Sequence, residues 1–89
     1  MLRLFYNMFY VYIIYSDAFD AFYIGYSADV ELRLKQHNAG LTKSTKAKIP
    51  WRVIYSEAFD AKIDAIRRER FLKAQKNKAF YKKISGTFF

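Results

Sequence analysis

Residues Phe9–Tyr15 read FYVYIIY, an unbroken run of aromatic and β-branched side chains. Such residues fit a pleated, half-buried surface, so the run is predicted to be a strand. The segment SDAFDA follows, and Ser and Asp side chains bond their own backbone in turns. Phe22–Tyr26 (FYIGY) then forms a second short strand, antiparallel to the first. Gly25 inside that strand marks a bulge or a close approach by another backbone or a ligand.

Downstream, SADVELRLKQHNAG is punctuated as a helix, with Ser27 or Asp29 able to cap its start and Gly40 its end. Leu41–Ile49 is a basic polar loop, and WRVIYSE after Pro50 is a third strand. FDAKIDAIRRERFLKAQKNK has the period of a long helix, with Asp60 as the expected N-cap. KAFYKKI either continues it or forms a short last helix. The predicted architecture is α+β, a three-stranded antiparallel sheet flanked by helices in the order β-β-α-β-α-(α). One domain spans 9–84, with an N-terminal extension at 1–8 and a fraying tail at 85–89; Met8 is an alternative start.

A heptapeptide occurs twice, YSDAFDA at 15–21 and YSEAFDA at 55–61. Nothing else is shared at that offset, and a stacked-repeat fold needs about three copies or more. The two copies are therefore shared strand-exit chemistry: a strand ends at Tyr and leaves through Ser-acidic-Ala-Phe-Asp.

Composition narrows the function. The chain has no Cys, which excludes disulfides, thiolate chemistry and zinc–thiolate sites and is compatible with a cytoplasmic location. The opening MLRLFYNMFYVYII is interrupted by Tyr and Asn and lacks a small-residue cleavage site, unlike a signal peptide. It is also shorter than the roughly 20 apolar residues of a membrane span. Sixteen Lys and Arg against eight Asp and Glu leave a net charge of +8 on 89 residues. That excess is either a solvated surface or the footprint of a polyanion partner such as nucleic acid.

Several polar residues fall where apolar ones are expected. On the first predicted helix Val30, Arg33, Leu34 and His37 share a face, and Arg33 and His37 can lie at the edge of the buried stripe and reach water. On the second, Ala61, Ile63, Ala65, Ile66 and Leu72 form an apolar arc with Glu69 inside it. A buried carboxylate without a partner is costly, so Glu69 needs a cation, water in a cleft, or an ion pair with Arg33 or a neighbouring Arg. Period-two alternation puts Tyr10, Tyr12 and Ile14 on one face of the first strand. Tyr12 and Tyr23 sit on opposite strands of the hairpin. A single such Tyr is ordinarily core packing with a satisfied hydroxyl. The set of two phenols, a guanidinium, an imidazole and a carboxylate can instead converge on one site.

The ordered set of Tyr12 in YVY (10–12), Tyr23 and Gly25 in YIG (23–25), Arg33, His37 and Glu69 resembles the GIY-YIG nuclease superfamily, most closely its small single-domain bacterial members. The likeness runs from Phe9 to Ile84 and includes the loop STKAKIPW; the first triplet departs from Gly-Ile-Tyr but keeps its tyrosine. The resemblance implies divalent-metal-dependent hydrolysis of DNA phosphodiesters, with Mg²⁺ or Mn²⁺ on Glu69 as its sole protein carboxylate. It implies that Tyr12 positions or deprotonates the attacking water, that Tyr23 assists, that Arg33 grips phosphate and that His37 orients a tyrosine or shuttles a proton. Lys43, Lys46, Lys48 and Lys76 would add backbone affinity, and a protein partner could supply targeting. Asn77 and Lys46 are open as further site members. The competing readings are a basic nucleic-acid-binding module without catalysis and a membrane-surface protein.

Overall fold

The computed structural model describes residues 8–86. The proposed extension, Met8 apart, and the end of the proposed tail lie outside these residues. Strand β1 spans Phe9–Ser16, β2 Ala21–Ser27 and β3 Arg52–Phe59. They form one antiparallel sheet in the order β2-β1-β3. The most strongly strand-forming segment of the chain is thus the central strand, whose backbone is paired on both edges. Helices α1 (Val30–Asn38), α2 (Lys62–Gln75) and α3 (Lys78–Ser85) flank the sheet, so the order β-β-α-β-α-α is the observed one.

Side chains alternate along β1 and feed two cores. Val11, Ile13 and Tyr15 pack with Ile24, Ile54, Ala65 of α2, Leu72 of α2 and Tyr81 of α3. Tyr12 and Ile14 pack on the other face with Trp51, supported by Val30 and Leu34 of α1. Burying both faces of one strand explains why its sequence is apolar throughout instead of alternating with polar residues.

Asp29 caps α1 through a bond from Leu32 N–H at 3.0 Å, and Gly40 follows the helix at φ +78°. Two expectations for the second half are corrected. The long helix begins after Ala61, with no side-chain cap, not after Asp60. Ile63, assigned to the apolar arc, is exposed, whereas Ala65 and Leu72 are buried. The two heptapeptides also diverge. The first leaves β1 at Ser16 and turns through Asp20, which adopts φ +49°. The second stays in β3 as far as Phe59, because Ser56–Phe59 pair with Tyr12–Phe9 of β1. The middle of the second copy, Glu57–Phe59, is held by pairing with β1, whereas the corresponding Asp17–Phe19 of the first lie in the turn between β1 and β2.

Candidate active site

Tyr12 lies at the middle of the central strand and is 1% exposed. Its neighbour on β2 is Gly25, in regular antiparallel register. A Cβ built on Gly25 would sit 2.7 Å from Tyr12 Oη and 2.9 Å from Cζ. The close approach predicted for this glycine is therefore real, but the approaching group is the Tyr12 side chain.

The helix α1 presents Arg33 and His37 one turn apart toward this phenol. His37 is not at the edge of the stripe, as expected, but 0% exposed. Burial is tolerated because both ring nitrogens have partners: Nε2 lies 2.8 Å from Tyr12 Oη and Nδ1 lies 2.8 Å from Thr45 Oγ1. Thr45 Oγ1 in turn donates to the Thr42 carbonyl at 3.4 Å. A hydroxyl that donates to a carbonyl accepts from Nδ1–H, which leaves Nε2 unprotonated and accepting from the phenol. The bonds thus run in one direction, Tyr12 to His37 to Thr45 to Thr42.

Thr45 sits in the segment read as a plain basic loop, and nothing in the sequence marks it. The loop is held at several points. Trp51 Nε1 donates to the Thr45 carbonyl at 2.9 Å, and Asn38 bonds both the N–H and the carbonyl of Trp51, at 2.7 and 3.0 Å. Lys46–Lys48 form a single 3₁₀ turn on it. Lys43, Lys46 and Lys48 are all exposed.

Tyr23 packs its ring edge-on to His37, with centroids 5.0 Å apart. On its other side stands Lys73 of α2, whose Nζ is 5.9 Å from the Tyr23 centroid. Lys73 also pairs with Glu69 at 3.4 Å, so one lysine links the carboxylate to the Tyr23 ring. The Glu69 side chain retains 15% exposure and its partner is a lysine, not an arginine. Two of the neighbouring arginines are engaged elsewhere, Arg68 with Glu57 at 3.0 Å and Arg67 with Asp64 at 4.0 Å. Arg33 donates to Gln36 at 2.9 Å. Asn77 caps α3 by accepting from Phe80 N–H at 3.0 Å. Lys76 and Asn77 line a cavity beside Tyr23.

Burial raises the Tyr12 pKa to about 12; the adjacent Tyr23 and the Glu69 charge push it further up, while Arg33 pulls it down. His37 is held below its ordinary value, first by burial and then by the Arg33 charge, which keeps the imidazole neutral.

A family model described as the GIY-YIG catalytic domain matches residues 8–84, a span that contains Tyr12, Tyr23, Arg33, His37 and Glu69. The chain belongs to the GIY-YIG family. Among its relatives, a UPF0213 protein of Streptococcus agalactiae is 43% identical over 58 residues, covering 64% of this chain and 66% of that protein, just under two thirds of its length. A UPF0213 protein of Halobacterium salinarum is 40% identical over 79 residues, covering 82% of this chain and 100% of the relative. The solution structure of a UPF0213 protein from Bacillus halodurans superposes with a TM-score of 0.55 at 30% identity, covering 91% of this chain and 89% of that one.

The GIY-YIG assignment implies a divalent ion, and the donor set can be tested for it. Among the described residues no three His, Asp or Glu side chains gather as a cage. Glu69 offers a single hard carboxylate, partly exposed, with a displaceable lysine partner. Mg²⁺ is commonly held by one or two carboxylates plus substrate phosphates and its own waters. The residues fit that mode of binding.

Proposed function

We propose that this GIY-YIG protein is a DNA endonuclease that hydrolyses phosphodiester bonds with the help of one Mg²⁺ or Mn²⁺ ion, acting in the cytoplasm. The observation that carries the reading is the 2.8 Å bond between Tyr12 Oη and Nε2 of a buried His37 held below its ordinary pKa.

A phenol with a pKa of about 12 is almost never a phenolate at neutral pH. Tyr12 alone is a poor base. Bonded to His37 it acts as a bridge: Oη takes a proton from the attacking water as its own proton passes to Nε2. The water oxygen then bonds phosphorus, the bond to the leaving sugar oxygen breaks, and that oxygen takes up a proton from solvent water. Nδ1–H stays on Thr45 throughout, which fixes the ring for this transfer. Arg33 binds phosphate oxygens with its planar fork. Tyr23, wedged between His37 and Lys73, holds the imidazole in place and offers its hydroxyl to the phosphate. Glu69 would hold the ion, which when bound neutralises the phosphate and stabilises the leaving oxygen.

Supercoiled plasmid incubated with the purified protein and Mg²⁺ or Mn²⁺ tests this. Nicking should appear with metal, vanish in EDTA and fall at least about a hundredfold in Glu69→Ala. Tight DNA binding with no nicking under either metal, unaltered by Glu69→Ala, would leave the non-catalytic module as the function.

A further inference from the structure

Next to the site, with Tyr23 on the shared wall, lies a cavity of about 400 Å³. It sits between β2 and the α2–α3 junction and is lined by Phe22, Tyr23, Ile24 and Tyr81, with Lys73, Lys76, Asn77 and Lys78 completing its walls. We propose that this cavity takes an unpaired base of the DNA strand, with the flanking phosphates on its lysines. The proposal rests on the nuclease reading for the nature of the ligand and specifies the substrate as DNA with an unpaired nucleotide next to the cut.

Four observations support it. The volume is that of a small-molecule site, for which about 300 Å³ is the lower bound. The aromatic wall is built in advance: Tyr81 donates to the Leu72 carbonyl at 2.7 Å and accepts from Lys76 N–H at 3.1 Å, and its ring meets Phe22 with centroids 5.4 Å apart. Fixed rings are a platform for a base of any sequence. No acidic residue lines the cavity. Lys73 and Lys78 do pair with Glu69 and Asp20, at 3.4 and 3.2 Å, but both lysine side chains are at least half-exposed and can turn to a phosphate.

The fourth is the backbone of Lys76, which is left-handed (φ 47°, ψ 45°). Glycine is the usual residue for that conformation at a helix end. A lysine held there at conformational cost, on the wall of an aromatic cavity, points to a task for its charge.

The test is binding without cleavage, in EDTA, by fluorescence anisotropy. The probes are a short single strand, the same strand with one abasic site moved along it, and the fully paired duplex. The single strand should bind more tightly than the duplex, and one abasic position should weaken it about tenfold. K76G should raise the melting temperature while weakening the intact strand severalfold, which separates loss of the ligand from loss of the fold. An affinity indifferent to every abasic position, or a duplex bound as tightly as the single strand, overturns the proposal. Metal-dependent nicking is scored separately: abasic-sensitive binding without any nicking keeps the base pocket and ends the nuclease reading, whereas nicking with abasic-insensitive binding does the reverse.

Discussion

Thr45 and His37 show how much of the site depends on single bonds. Replacing Thr45 by Val keeps the shape but leaves Nδ1–H of a fully buried ring without an acceptor, at a cost of about 1–3 kcal/mol. It also frees the tautomer to reverse, so nicking should fall about tenfold or more as positioning is lost. His37 itself ties stability to pH. Its folded-state pKa is depressed, so the unfolded chain takes up a proton first as pH falls. Its contribution is complete above the unfolded value of about 6.5 and is lost as pH drops through that value toward the lower folded one. Urea midpoints measured across this range should decline for the wild type and decline less for His37→Gln; identical slopes would show that the imidazole is not held neutral. Arg33 and Glu69 were legible as outliers on otherwise apolar faces. Thr45 was not, because a threonine among lysines carries no periodicity to break.

Among the elements, the hairpin is the part that tolerates least change. The Tyr12 side chain lies against Gly25, and a methyl group there would stand 2.7 Å from its hydroxyl. Gly25→Ala therefore has to move the phenol away from His37. The expected cost is about 1–3 kcal/mol of stability, as for other overpacked sites. Nicking should fall far more than that loss implies, because the Tyr12–His37 bond goes with it; melting curves and rates measured together check both. Strand and helix types followed from residue type and period. The end of β3 did not, since only its pairing with β1 holds Ser56–Phe59 extended. Nor did the start of α2, where Asp60 resembles a cap but Ala61 occupies the position.

Across the whole molecule the charge of +8 is distributed by anchoring. The loop that carries Lys43, Lys46 and Lys48 is fixed at Thr45, which bonds His37, and at Trp51. DNA affinity should fall steeply with salt, and each lysine that meets a phosphate should contribute about 0.9 to the slope on a duplex or about 0.7 on a single strand. Replacing Lys43, Lys46 and Lys48 by Gln should flatten the plot of log affinity against log salt and weaken all sequences alike. An unchanged slope would place the DNA elsewhere on the surface. Among the described residues no helix is long and apolar enough to cross a membrane.

The sequence by itself determined the α+β class, the central hairpin and the cast of polar residues, because side-chain type and period act locally. Only the tertiary structure decided which of them are buried, which nitrogen of His37 is bare, and that a helix junction leaves an aromatic cavity beside Tyr23. Those features arise between segments far apart along the chain, where contacts and not neighbours set the energy.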